Sequence, residues 1–202
     1  MGKNRLEAFS DGVLAIIITI MVLELKVPHG EDLASLRPLW PVFLSYVLSF
    51  IYIGIYWNNH HHLMHAARSV SGAILWANLH LLFWLSLVPA ATAWMGETYF
   101  ASLPTALYGV PLLMAALAWL ILQRAIIAAD GRSSVLAAAL GKDWKGKVSF
   151  ALYVAAIALA FALPWASWAI YAVVASMWLV PDTRIARALQ HHGEQHAGQR
   201  GA

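Results

Sequence analysis

The chain of 202 residues is 61% hydrophobic and only 11% charged, and its mean hydropathy is +0.66. This composition excludes a soluble domain, because most of the chain has no polar face to present to water. The absence of cysteine excludes disulfide frameworks and thiolate metal sites, and the formal net charge of +3 is too small to indicate a nucleic-acid partner.

The apolar residues form six discrete runs, which predict an all-α, multi-pass membrane bundle of six transmembrane helices in one domain. The last two runs are short and are separated by Pro164-Trp165, so they could also form one broken helix. The predicted helices lie at about residues 5–25, 39–63, 71–95, 104–124, 147–163 and 166–180, followed by a cytoplasmic tail over 182–202.

The distribution of lysine and arginine favours six helices over five. With six helices and a cytoplasmic N-terminus, eleven of the 13 cations lie inside, and only Lys26 and Arg37 lie outside. Five helices would place Arg184, Arg187 and Arg200 outside and spoil this positive-inside bias. We therefore expect a protein of the cell membrane with both termini in the cytoplasm.

The first predicted helix carries the polar pair Ser10-Asp11 at the start of an otherwise apolar segment. An ionisable group at the hydrocarbon boundary is costly, so Asp11 is expected to line a polar path or to find partners inside the protein. The candidate partners are Arg5, Trp57, His60 and Asn78. The simpler alternative is a hydrated Asp11 that is stabilised by the N-terminal end of the helix dipole.

An apolar stripe runs along the opposite side of the same helix. At 100° per residue, Gly12, Ile16, Thr19, Ile20 and Leu23 fall within about 120°. The stripe could face lipid or other helices. If several copies of the helix surround an axis, positions 16, 20 and 23 would instead form stacked hydrophobic rings along about 10 Å of a path, which could gate by dewetting.

Acidic residues follow this stripe at the predicted outer end of the helix. They are Glu24, Glu31 and Asp32, and a proline-glycine stop lies among them at residues 27–30. At a pore mouth their carboxylates would raise the local cation concentration.

The second helix ends in a histidine-rich run, in which His61 and His65 have the i, i+4 spacing that metal ligation permits. Membrane di-iron enzymes need several such clusters. The further candidate ligands in this chain are His80 and the tail histidines His191, His192 and His196. An interfacial or hydrogen-bonding role is favoured, so we expect no metal and no cofactor. Common hydrolase and nucleotide-binding motifs are absent, as is the T-V-G-Y-G filter signature.

The opening of the first helix, Arg5-x-x-x-Phe9-Ser10-Asp11, resembles the hallmark of the transmembrane protein 175 family of potassium channels. The resemblance continues to Leu23, with weaker matches at Trp57-x-x-His60 and Asn78, whereas the second half of the chain agrees only in hydropathy and number of spans. A single six-helix unit is similar to the prokaryotic branch, which implies a homotetramer.

The resemblance implies a role for each of these residues. It implies a pore lined by the first helix, with a hydrophobic constriction that begins at Ile16, and it places Thr19 where animal members have a threonine linked to potassium preference. The pore-lining set is Ile16, Thr19, Ile20 and Leu23. The set that holds the first helix against the next two is Arg5, Phe9, Ser10, Asp11, Trp57, His60 and Asn78, with His60 favoured over its histidine neighbours by its spacing from Trp57.

The leading hypothesis is a potassium-preferring cation channel in the lipid bilayer, without enzymatic activity. Two alternatives stay open. A proton-coupled secondary transporter would use Asp11 and a histidine as its titrating pair, and a membrane enzyme would hold a metal or haem through histidines.

Overall fold

The computed structural model describes residues 2–131 and 144–179. These residues form seven α-helices and one 3-10 helix at Leu33–Leu39, with no strand among them. The α-helices are α1 (Lys3–Leu23), α2 (Trp40–Ala66), α3 (Gly72–Ser86), α4 (Val88–Glu97), α5 (Ser102–Asp130), α6 (Trp144–Leu159) and α7 (Pro164–Leu179). The predicted tail 182–202, with His191, His192 and His196, lies outside the described residues.

Four segments of the described residues are long and apolar enough to cross a membrane: Lys3–Leu23, Leu33–Ala66, Gly72–Glu97 and Ser102–Asp130. The third contains both α3 and α4, because only Leu87 separates these helices and Pro89 is tolerated in the first turn of α4. The helices α6 and α7 are shorter, at 16 residues each. With α3 and α4 counted as one rod, the predicted all-α bundle of six membrane helices is confirmed.

Helix α5 continues beyond the apolar run that defined its predicted range of 104–124. It ends at Asp130 because Gly131 follows with a φ of 89°, a left-handed conformation that favours glycine and stops a helix. The end of α5 also holds the connection between α2 and α3, since the Asp130 carboxylate accepts a hydrogen bond from the Arg68 amide at 2.9 Å.

Helix α5 is the centre of the bundle. It packs against α3, α4 and α6, while α7 packs against α6 and α2. Helix α1 lies at one side, against α2, α3 and α4. Close approach of α4 to α2 depends on Gly96, since a Cβ at this position would lie 2.8 Å from the Cα of Val42.

Tyrosines fill the core between α2, α5, α6 and α7. Each hydroxyl that is buried there needs an internal partner, because the hydrocarbon offers none. Tyr52 donates to the carbonyl of Tyr171 at 2.6 Å, and Tyr171 donates to the carbonyl of Thr105 at 3.1 Å. The hydroxyl of Tyr108 lies 3.0 Å from that of Ser49. These bonds fix the rigid frame against which α1 is placed.

Candidate functional site

One face of α1 is buried against α2, α3 and α4. The residues of this face are spaced three or four apart, and each is at most 2% exposed. They are Leu6, Ser10, Leu14, Ile17 and Met21. Such spacing is one face of an α-helix. The packing therefore fixes the rotation of α1 about its axis and decides where its other side chains point.

A chain of buried hydrogen bonds crosses this face and joins three helices. The Nε2 of His60 on α2 lies 2.8 Å from Oδ1 of Asn78 on α3, and Nδ2 of Asn78 donates to Oγ of Ser10 on α1 at 2.9 Å. Ser10 in turn donates to the carbonyl of Leu6 at 2.9 Å. Because Oδ1 of Asn78 can only accept, His60 carries its proton on Nε2. All three side chains are sequestered from solvent.

This arrangement brings Ser10, His60 and Asn78, three members of the predicted helix-holding set, into contact. It also places His60, rather than His61 or His62, in the buried chain. Both interhelical bonds are formed in a site that water does not reach, where an unpaired donor or acceptor is costly. These hydrogen bonds therefore restrain the rotation of α1 about its axis more than apolar packing alone would.

A second row of polar contacts runs along the antiparallel edge between α1 and α2; we call it the polar ladder. It consists of Lys3 Nζ with the carbonyls of His65 and Ala67, Glu7 Oε1 with His61 Nδ1, and Asp11 Oδ1 with Trp57 Nε1, all at 3.1 Å. Each step of four residues along α1 is matched by four residues back along α2, which is about one helical turn on both. Lys3 also satisfies carbonyls at the C-terminal end of α2, where a cation is favourable.

Asp11 lies on the flank of α1 and is partly exposed, rather than within the core. Its partner is the indole N–H of Trp57, a side chain that is 49% exposed. No hydrogen bond or ion pair joins Asp11 to a histidine within the described part of the chain.

Arg5 and Phe9 do not join the buried chain or the polar ladder. Phe9 is 48% exposed, and the Arg5 side chain, also exposed, makes no hydrogen bond or ion pair with any residue described. Both lie on the same outward side of α1 as Ile16, by helical geometry. Within a single chain they do not hold α1 against α2 and α3.

The apolar stripe of α1 points away from the bundle. Ile16 is 60% exposed, Ile20 43% and Leu23 76%. Thr19 is exposed among them, and its hydroxyl donates to the carbonyl of Ala15 at 2.9 Å. The stripe is therefore an uncovered surface opposite the buried face.

The acidic residues predicted at the outer end are all exposed. Asp32 also has a structural use, because its Oδ1 accepts from the amide of Ser35 at 3.1 Å and caps the 3-10 helix. Sequence reasoning missed Glu97, which pairs with Lys26 and ties the end of α1 to the end of α4. The hydrogen bond to Glu97 raises the pKa of the Lys26 ammonium above its ordinary value.

Sequence reasoning also missed Lys3 and Glu7. The available signal was the spacing: Lys3, Glu7 and Asp11 follow one another at four-residue intervals, and so do Trp57, His61 and His65 on α2. Two such rows on antiparallel helices predict a ladder once the helices are known to be neighbours.

Comparison with known proteins agrees with this architecture. Residues 5–89, which contain the buried hydrogen-bond chain and all of the polar ladder except Lys3, match the family model described as endosomal/lysosomal potassium channel TMEM175. The chain is 55% identical over 192 residues to a potassium channel of Chryseobacterium sp. (strain P1-3), covering 95% of this chain and 100% of that one.

A structural relative and an animal relative extend this result. The structure is similar to the crystal structure of a lysosomal potassium-selective channel TMEM175 homolog from Chamaesiphon minutus, with a TM-score of 0.76, 30% identity, and coverage of 89% of this chain and 97% of that one. The endosomal/lysosomal proton channel TMEM175 of Bos taurus is 36% identical over 96 residues, which cover 41% of this chain and 20% of that protein.

Proposed function

The chain belongs to the TMEM175 family of ion channels, and we propose that it conducts potassium in preference to sodium through a pore lined by α1. It is a multi-pass membrane channel and not an enzyme, so the histidine-ligated membrane enzyme considered from the sequence is excluded. The pore lining, the constriction and the preference for potassium are the proposal.

The observation that carries the proposal is the contrast between the two faces of α1. Its buried face is locked by apolar packing and by the bond of Ser10 to Asn78, whereas Ile16, Ile20 and Leu23 stay uncovered. A helix with a fixed rotation presents the same side chains outward in every copy of the chain. Around an axis these side chains would form rings of fixed composition.

The proposed channel is a homotetramer, since one chain supplies one copy of α1 and a single helix cannot enclose a path. The resemblance to the prokaryotic branch supports this number. Arg5 and Phe9, which are exposed in a single chain, lie on the outward side of α1 and would contact neighbouring copies. Their role in holding α1 would then be between protomers.

The proposed constriction is hydrophobic and extends from Ile16 to Leu23, about 10 Å of helix. Aliphatic rings offer no oxygen ligands to replace the hydration shell of an ion, so they resist wetting and favour the cation that loses water at lower cost. Potassium dehydrates more readily than sodium, which gives a modest preference. Thr19 supplies the one hydroxyl on this stretch of the stripe.

The proposed outer mouth contains Glu24, Glu31 and Asp32, which are exposed and would concentrate cations there. In this orientation the polar ladder and both termini lie at the cytoplasmic side. Lys3, Arg5 and Arg68 then follow the positive-inside rule.

Potassium flux into liposomes that contain the purified channel tests the proposal. Ile16→Asn should raise the flux and weaken the preference for potassium over sodium, because an amide wets the first ring of the proposed constriction. The matched control is Ile121→Asn, which changes an isoleucine that is 39% exposed on α5 and should leave both quantities near the wild-type values. Equal behaviour of the two variants would contradict the assigned constriction.

A further inference from the structure

Three side chains of the polar ladder form a cluster of potential metal ligands. The candidate ligand atoms of Glu7, His61 and His65 all lie within 4.8 Å of one another. Within this cluster Glu7 Oε1 is 3.1 Å from His61 Nδ1, and the ring centroids of His61 and His65 are 4.5 Å apart. The cluster joins the first turns of α1 to the last turns of α2.

The separations fit a tetrahedral site with nitrogen and oxygen ligands. Zinc binds histidine nitrogen and carboxylate oxygen at about 2.0–2.2 Å, so neighbouring ligand atoms in such a site are about 3.3 Å apart. Glu7 and His61 already have nearly this separation. His65 lies one turn further along the same helix face as His61, and its ligand atom lies within 4.8 Å of those of Glu7 and His61, so a shift of about 1.5 Å would complete the site.

The surroundings of the cluster leave it accessible to an ion. His61 and His65 are exposed and Glu7 is partly exposed, so an ion can arrive from water and keep a water molecule as its fourth ligand. The ammonium of Lys3, on the same ladder, is bonded to the carbonyls of His65 and Ala67 at the end of α2. The carboxylate of Glu7 supplies the negative charge that favours a divalent cation.

We propose that Glu7, His61 and His65 bind one divalent transition-metal ion of the zinc type, which links α1 to α2. The ion is structural or regulatory and takes no part in catalysis. It stabilises the folded chain because all three ligands come together only when α1 and α2 are packed. This inference goes beyond the proposed pore and does not depend on which face of α1 lines it.

Titration of Zn²⁺ into the purified full-length channel tests the proposal, with binding followed by calorimetry and stability by thermal unfolding in detergent. All variants carry His191→Ala, His192→Ala and His196→Ala, so that the tail histidines do not contribute. The expected result is one Zn²⁺ per chain and a raised Tm, with no such shift from Mg²⁺, which prefers oxygen ligands. An equal shift from Mg²⁺ would overturn the proposal.

Variants assign the site. His61→Ala and His65→Ala should each weaken Zn²⁺ binding by at least about tenfold. Loss of a side chain that only hydrogen-bonds to a metal ligand already lowers metal affinity by about this factor, and loss of the ligand itself should lower it at least as much. His62→Ala is the matched control and should bind as the parent does. Unchanged binding in His61→Ala, or an equal loss in His62→Ala, would overturn the assignment.

Glu7→Gln guards against a folding defect in the histidine variants. Glutamine keeps the size of the side chain and can still hydrogen-bond to His61, but it removes the carboxylate ligand. We expect this variant to elute as the same oligomer, with the metal-free Tm of the parent and weakened Zn²⁺ binding. Full binding by Glu7→Gln would contradict the proposed ligand set even if the histidine variants fail to fold.

Discussion

The replacement Asn78→Ala should destabilise the channel by removing the central member of the buried hydrogen-bond chain. Asn78 is completely buried and makes one bond to His60 and one to Ser10. The other ring nitrogen of His60, Nδ1, is buried without a hydrogen-bond partner among the described residues. The substitution would therefore leave the imidazole with no partner in this part of the chain, in a site that water does not reach.

The size of the effect follows from these two bonds. Interhelical hydrogen bonds in membrane proteins contribute on average about 0.6 kcal/mol each and at most about 1.7, so the lower bound for two bonds is about 1 kcal/mol. A buried polar group left unsatisfied costs about 1–3 kcal/mol, which raises the upper bound to about 4 kcal/mol. We expect a loss of about 1–4 kcal/mol in the free energy of unfolding.

A double-mutant cycle isolates the bond between Asn78 and Ser10. The assay is reversible unfolding of the full-length channel in increasing SDS, for Asn78→Ala, Ser10→Ala and the pair, and the two changes should be non-additive by about 0.5–1.5 kcal/mol. Leu79→Ala, an adjacent side chain that is 40% exposed, is the control and should change stability by less than about 0.5 kcal/mol. The reasoning is refuted if Asn78→Ala matches Leu79→Ala or if the cycle is additive.

Two further substitutions probe the placement of α1 and α4. Trp57→Phe removes the indole donor to Asp11 and keeps an aromatic ring at this position. Because this contact is exposed, the free energy of unfolding should fall by less than about 1 kcal/mol, and a larger loss would indicate that the contact is shielded from water. Gly96→Ala places a Cβ 2.8 Å from the Cα of Val42 and should destabilise the channel by about 1–3 kcal/mol, whereas Gly54→Ala, where no neighbouring atom lies within 4 Å, should be neutral or stabilising. Equal thermal unfolding of the two glycine variants would contradict the close contact between α4 and α2.

The sequence predicted the helical rods because each coincides with an apolar run. It separated the two faces of α1 because six residues at 100° each place Ser10 and Ile16 about 120° apart around the helix. The ends of the rods were harder to predict. Helix α5 extends past its apolar run because nothing before Gly131 stops it, and the third rod is divided at Leu87 because Pro89 starts a new helix. Such helix ends depend on backbone conformation, which the hydropathy of the sequence does not show.

Part of the helix-holding set could be predicted and part could not. Asn78 is a polar residue within an apolar run and Ser10 stands at the start of one, so their need for partners was visible in the sequence. His60 stands in a polar run and was favoured over its neighbours by its spacing from Trp57. The contacts of Lys3 and Glu7 depend on the register between α1 and α2, which the sequence of either helix leaves undetermined. Arg5 and Phe9 are exposed in one chain, and a sequence motif carries no information on whether a contact is made within a protomer or between protomers.

The most direct test of the pore assignment uses the absence of cysteine from the chain, which permits single cysteines to be introduced without background. Ile16→Cys and Ile20→Cys channels in liposomes are treated with a charged, water-soluble thiol reagent during potassium flux. The control is Val173→Cys, which changes a residue of α7 that is 60% exposed. The proposal predicts that the reagent blocks flux through the two α1 variants and leaves the α7 variant conducting. Persistent flux after complete labelling of Ile16→Cys and Ile20→Cys would contradict a pore lined by α1.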